Sequence, residues 1–166
     1  IGKTRLIEEL HSSISKEKGF FASGKFDQYH KETPYFAFTQ AFNNLVLQLL
    51  SEENDQVVAW KNALLKALDG RGQVLVNMAP DLEILLGPQE KLFDLGFKDN
   101  QERFIQTVID FLSVLDSEER PLVFFIDDLQ WADITSLELI HALLHSHLRN
   151  ILIIGAFRDN EVDPTH

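Results

Sequence analysis

The chain has 166 residues, 45% hydrophobic and 25% charged, which is enough to bury one core in a single domain. Its 15 basic and 26 acidic side chains give a net charge of −11, which repels phosphate backbones and anionic lipid surfaces and argues against general nucleic-acid binding. There is no cysteine, so disulfides and thiolate metal sites are excluded; the apolar stretches LVFFI and ILIIGAF fall far short of the ~20 residues of a spanning helix. A cytoplasmic setting without membrane insertion is expected.

Taken in order, Leu6, Ile7, Leu10 and Ile14 recur at helical spacing between Lys3 and Lys18, with Gly19 as the stop. FFASGKF reads as a short strand. Pro34 then opens a helix whose Phe38, Phe42, Leu45, Val46 and Leu49 share a face, and QVVAWKNALLKAL repeats the period up to Gly70. GQVLVNMAPDLEILLG is apolar but broken by Pro80 and Gly87, which predicts short helical turns.

In DNQERFIQTVIDFLSVLD, Phe104, Ile105, Val108, Ile109, Leu112 and Leu115 align, Asn100 is a candidate cap, and Glu102, Arg103 and Asp110 fall on the outer face. PLVFFIDD is apolar on both faces, the pattern of a central strand in a helix-covered parallel sheet. Asp133 can cap a helix reaching about Leu148, with Leu137, Ile140, Leu144 and Leu148 inward; ILIIGAF then reads as a second buried strand, completing a strand–helix–strand crossover.

Three places carry candidate chemistry. Gly2-Lys3-Thr4 corresponds to the end of the phosphate loop GxxxxGK[ST], in which backbone N–H groups surround phosphates, the lysine reaches the β and γ phosphates, and the hydroxyl binds Mg²⁺. The helix that follows would direct its positive dipole end at an anion held there. LVFFIDDLQWAD places Asp127 and Asp128 where open α/β sheets bind ligands, beyond the carboxyl end of a strand. Asp127 would enter the Mg²⁺ shell, and Asp128 could orient or deprotonate an attacking water.

Arg158, just after the second buried strand, could sense a γ phosphate or pair instead with Asp159 or Glu161. His141 and His145 stand four apart, but Ala142 replaces the glutamate of HExxH, so zinc hydrolysis is unsupported. Trp60 and Trp131 read as packing residues, Trp131 near enough to the acidic pair to wall a site.

Together, IGKT at a helix start, LVFFIDDLQWAD and ILIIGAFRDNEV resemble the signal-transduction ATPases with numerous domains, a P-loop group related to the AAA superfamily. GKFDQYHKETPYFAFTQAF, GQVLVNMAPDLEILLG and NQERFIQTVIDFL extend the resemblance over nearly the whole chain, toward the ATPase module of large sensor kinases. There the module lies between a serine/threonine-kinase-like domain and sensor plus histidine-kinase domains. The resemblance implies an α/β three-layer P-loop NTPase fold with a parallel sheet ordered 5-1-4-3-2 in the family's strand numbering. It also implies ATP and Mg²⁺ as ligands, Gly2, Lys3 and Thr4 on the nucleotide, Thr4 and Asp127 on the metal, and Asp128 and Arg158 as catalytic residues.

The family's first strand and the front half of its phosphate loop would precede Ile1, and its helical lid would follow DPTH. The expectation is therefore a single ATPase domain truncated at both ends, with a helical insert over about 36–86, an unpaired edge on the last strand, and ATP or ADP and other domains of the same polypeptide as partners. A nucleotide-gated interaction module without turnover, and a scaffold with a vestigial site, are the rival readings. No HRD or DFG signature supports kinase chemistry within these residues.

Overall fold

A computed structural model describes residues 2–158, the side chains of residues 2–4 excepted. Three parallel strands, β1 (Phe20–Lys25), β2 (Leu122–Asp127) and β3 (Ile151–Gly155), lie in the order β1-β2-β3. Phe20 faces Leu122, Lys25 faces Asp127, and Leu122 faces Ile151. This corresponds to the 4-3-2 stretch of the sheet that the family resemblance implies. As LVFFID indicates, β2 is central and almost wholly buried, because among the described residues it alone has a strand on each side and apolar cover on each face.

The alternation of side chains along the strands divides the apolar residues between two layers. Phe21, Val123 and Phe125 point to one face, where Ile7, Leu10 and Ile14 of α1 (Gly2–Lys16) cover them. Phe20, Ala22, Leu122, Phe124 and Ile126 point to the other, larger core. That core is built from α2 (Phe36–Leu50), α3 (Asn54–Leu68), α4 (Gly72–Met78), α5 (Leu82–Leu86), α6 (Phe97–Leu115) and α7 (Ile134–Leu144). Phe42 lies 5.4 Å from Phe111 and 5.9 Å from Phe124, ring to ring, tying α2, α6 and β2 together.

Glycine permits two close approaches. A Cβ on Gly19 would fall 2.5 Å from the Pro121 carbonyl oxygen, and one on Gly24 would fall 1.8 Å from that of Ala37. The first glycine lets the chain enter β1 beside the lead-in to β2; the left-handed residue that ends α1 is Lys18, with φ 54°. The second lets the start of α2 close onto β1.

Five sequence expectations are corrected. α6 begins at Phe97, and Asn100 lies inside it; its Nδ2 bonds Asp94, whose carboxylate also accepts the Gly96 N–H, so the cap reaches forward from the loop. The outer face of α6 is less exposed than expected, because Asp110 pairs with Arg71 at 2.7 Å and Arg103 is half-buried beneath the Phe93 carbonyl.

α7 stops at Leu144, where Ser146 Oγ and His145 Nδ1 engage the Leu143 and His141 carbonyls. α7 is also rotated: Ser136, Leu139 and Leu143 face inward, while Leu137 and Leu144 are exposed. Its leucines and isoleucines surround the helix, so periodicity leaves rotation open; Asp133 decides it by accepting the Ser136 N–H at 2.9 Å and its hydroxyl at 2.5 Å. Finally, β3 is only half-buried, with Leu152 51% exposed.

Candidate nucleotide site at the sheet edge

α1 and the acidic turn converge on one edge of the sheet. Ile14, near the end of α1, sits beside Gly19 and Pro121 where the strands begin, whereas Ile7 shares a cavity of about 570 Å³ with Phe125, Asp127 and Lys25 where they end. The helix thus runs back along the sheet, and its first residues, Gly2, Lys3 and Thr4, start at the carboxyl edge on the face that carries Asp127. The Lys3 and Thr4 side chains, on which the phosphate-loop expectation falls, lie outside the description.

Asp127 ends β2 and accepts the Asp128 N–H at 2.8 Å. Asp128 then takes a left-handed conformation, φ 52° and ψ 47°, which is strained for a residue with a side chain and tolerated best by Asp or Asn. A single-turn 3-10 segment, Leu129–Trp131, follows and carries the chain toward α7. The left-handed turn folds the Asp128 carboxylate into the structure, where it is 7% exposed.

There it meets two cations. Lys25 Nζ lies 3.1 Å from Oδ2 and Arg158 Nε 3.6 Å from Oδ1, while Gln130 Nε2 donates at 3.4 Å. Burial pushes the Asp128 pKa up, but the Lys25 hydrogen bond and charge, the Gln130 bond and the Arg158 charge outweigh it and hold the carboxyl below 3.8. The acid is therefore ionised at neutral pH.

Arg158 is oriented by its own backbone, whose N–H donates to Gln130 Oε1 at 3.2 Å. The pairing partners weighed from sequence, Asp159 and Glu161, lie outside the described residues. The loop after β1 crosses the same edge: Lys31 Nζ sits 4.0 Å above the centre of the Trp131 ring, and Asp27 accepts the Tyr29 and His30 N–H groups at 2.8 and 3.0 Å. Trp131 therefore does stand beside the acidic turn.

Sequence reasoning brought Asp127, Asp128 and Arg158 to one edge, and the fold does the same. It missed Lys25, which sits in FFASGKF as an unremarkable strand end; the only signal was its register opposite Asp127, visible once strand pairing is known. His141 and His145, at the C-terminal end of α7, face each other with ring centres 4.2 Å apart, tilted by 31°. Among the described residues, no group of three or more His, Cys, Asp or Glu is arranged to hold a metal ion. Asp127 offers one strand-end carboxylate, a hard oxygen donor of the kind magnesium takes.

A parallel sheet with acids, a strand-end arginine and a helix start at one edge is the arrangement of a P-loop NTPase-like α/β domain. The chain matches the model of the AAA ATPase domain over residues 1–154 and belongs to that family. It is 37% identical over 147 residues to the hybrid signal transduction histidine kinase G of Dictyostelium discoideum, covering 89% of this chain and 4% of that protein. It is 28% identical to the peroxide stress-activated histidine kinase mak2 of Schizosaccharomyces pombe, covering 93% of this chain and 7% of the relative. The histidine protein kinase 1 of Candida albicans is 21% identical over 84% of the chain and 6% of its own length. The chain thus spans less than a tenth of the relatives it matches. No solved structure matches it. Among the described residues, no helix is long and apolar enough to cross a membrane.

Proposed function

We propose that this AAA ATPase domain binds Mg-ATP between the start of α1 and the ends of β2 and β3, and hydrolyses it as a regulatory step within a multi-domain, cytoplasmic signalling protein of the histidine-kinase type. The observation that carries the reading is the buried, ionised Asp128, held between Lys25 and Arg158 at the edge where α1 begins. A carboxylate kept charged away from bulk water, beside cations that a phosphate also attracts, suits water orientation in phosphoryl transfer.

In this reading Gly2 and Lys3 bind phosphate oxygens, and Thr4 with Asp127 would hold Mg²⁺. When bound, the metal would supply charge neutralisation to the phosphate. Asp128 orients the attacking water or accepts its proton at a carboxylate oxygen, while Arg158, 3.6 Å from Asp128, would turn to the γ phosphate. Trp131 and the Lys31 loop cover the edge and limit access of water. The other domains of the polypeptide are the partners that turnover would switch.

In the full-length protein, Lys3→Ala should abolish ATP binding measured by isothermal titration. Asp128→Asn should keep binding and lose phosphate release. Unchanged hydrolysis in both variants refutes the proposal.

The double ion pairing of Asp128 also favours a second reading, a nucleotide-gated assembly module without turnover, since an acid neutralised by two cations is a weak base. Size measured with and without nucleotide, alongside phosphate release, separates the two: a change in assembly with no release selects the second.

A further inference from the structure

A short chain of contacts joins the helical layer to Asp128. Along the outer edge of β1, alternate residues are gripped by three amide side chains one helical turn apart on α2. Gln48 Oε1 accepts the Phe21 N–H at 3.0 Å and its Nε2 donates to the Phe21 carbonyl at 2.8 Å. Asn44 accepts the Ser23 hydroxyl at 3.1 Å. Gln40 Oε1 accepts the Lys25 N–H at 3.1 Å, and its Nε2 donates to the Lys25 carbonyl at 3.3 Å.

The spacing fits, because four helical residues rise about 6.0 Å and two strand residues about 6.6 Å. Only the Gln40 member ends at the site. Lys25 is the last residue of an edge strand, where backbone frays most readily, and its ammonium rides on a flexible four-carbon stem. Where its Cα is fixed therefore decides where its charge falls. Lys25 is 57% exposed, so packing does not hold its ammonium on Asp128.

We propose that Gln40 and Lys25 are positioning residues for Asp128: α2, through the Gln40 amide, fixes the end of β1 and thereby the ammonium that sets the Asp128 carboxylate. Movement of α2 along β1 would then alter turnover without any change in the nucleotide contacts. The inference rests on the reading that Asp128 acts on the attacking water.

The test compares Gln40→Ala, Lys25→Met, Lys25→Arg and Asn44→Ala with the wild type in the full-length protein. Two quantities are measured: kcat and KM for ATP, and the rate at which acetic anhydride acetylates Lys25, followed by mass spectrometry. Gln40→Ala and Lys25→Met should each lower kcat by about tenfold with KM within about twofold, and the double variant should fall little further. Lys25→Arg should recover most of kcat. Asn44→Ala, which loses a bond of the same row at a residue farther from the acid, should leave kcat unchanged.

Lys25 should acetylate about threefold faster in Gln40→Ala than in Asn44→Ala. Equal behaviour of Gln40→Ala and Asn44→Ala in kcat and labelling overturns the proposal, as does a rise in kcat, which would make Lys25 a brake. If the wild type shows no turnover, the ATPase reading falls, and the labelling ratio still decides whether Gln40 sets Lys25.

Discussion

The two outer edges of the sheet are finished in opposite ways. Along β1, side-chain amides of α2 stand in for a neighbouring strand, bonding the Phe21 and Lys25 backbones on both their N–H and C=O groups. Its lower end is clamped as well: Arg120 donates to the Lys18 carbonyl at 2.8 Å, pairs with Glu52 just past α2, and lies 4.4 Å over the Phe20 ring. Along β3, the strand pairs only with β2 among the described residues, Leu152 and Phe157 are exposed, and an apolar void of about 100 Å³ lies between Ile151, Ile153 and Leu143.

One edge is closed by the chain's own helix; at the other, β3 has no second strand partner among the described residues. The lesson concerns where each edge gets its protection. A helix can seal a strand only if its backbone comes close enough for short amides to reach, which is why β1 carries Gly24 opposite Ala37. At β3 the close approach, at Gly155, is made by the Leu129 side chain and not by backbone, so growth of the sheet, or aggregation, is expected on that side.

The sharpest break in this contrast is Gly24→Ala. With the new Cβ placed against backbone, not a yielding side chain, α2 must retreat from β1, and denaturant unfolding should show a loss of ~3 kcal/mol or more. Gln48→Ala is milder. It leaves the Phe21 N–H and C=O without their amide partner beside a buried ring and should cost about 1–3 kcal/mol in the same assay.

At the opposite edge, Leu152→Lys should change stability by no more than about 0.5 kcal/mol while slowing aggregation followed by light scattering. A stability loss like that of Gln48→Ala would mean that β3 is as well sealed as β1. Amide hydrogen exchange gives a substitution-free version: the Phe21 and Lys25 amides should exchange more slowly than those of β3.

The smallest effect concerns acid. Burial raises the Glu52 pKa, but the hydrogen bonds from Arg120 and Trp60 and the Arg120 charge outweigh it and hold the carboxyl below its ordinary value of 4.5. A lowered native value means that the pair contributes its full stability above 4.5 and loses it as pH falls through the native value. Glu52→Gln should therefore flatten the acid limb of a stability–pH profile below that point and leave the slope at neutral pH unaltered.

Much of this was legible from residues alone, for identifiable reasons. The LVFFID run could only be a strand covered on both faces, and the glycines, prolines and helical periods bounded α1 to α6 to within a few residues. The acidic pair announced an edge site because charged residues directly after a wholly apolar strand must lie at its end. What escaped the sequence were features set by relations between segments. α7 carries leucines and isoleucines on every side, so its rotation is read from the bonding of Asp133 to Ser136. ILIIG reads as buried, but half of its cover depends on what lies beside it.

The sequence by itself determined an α/β domain with a buried central strand, a helix opened by Gly2-Lys3-Thr4, and carboxylates at a strand end, because periodicity and local charge are properties of contiguous residues. Only the tertiary structure decided that Lys25 meets Asp128 across 103 residues, that Gln40, Asn44 and Gln48 close one edge, and that β3 pairs with β2 alone among the described residues. Such contacts follow from strand register and from how near one backbone can come to another, and neither is written in any single stretch of chain.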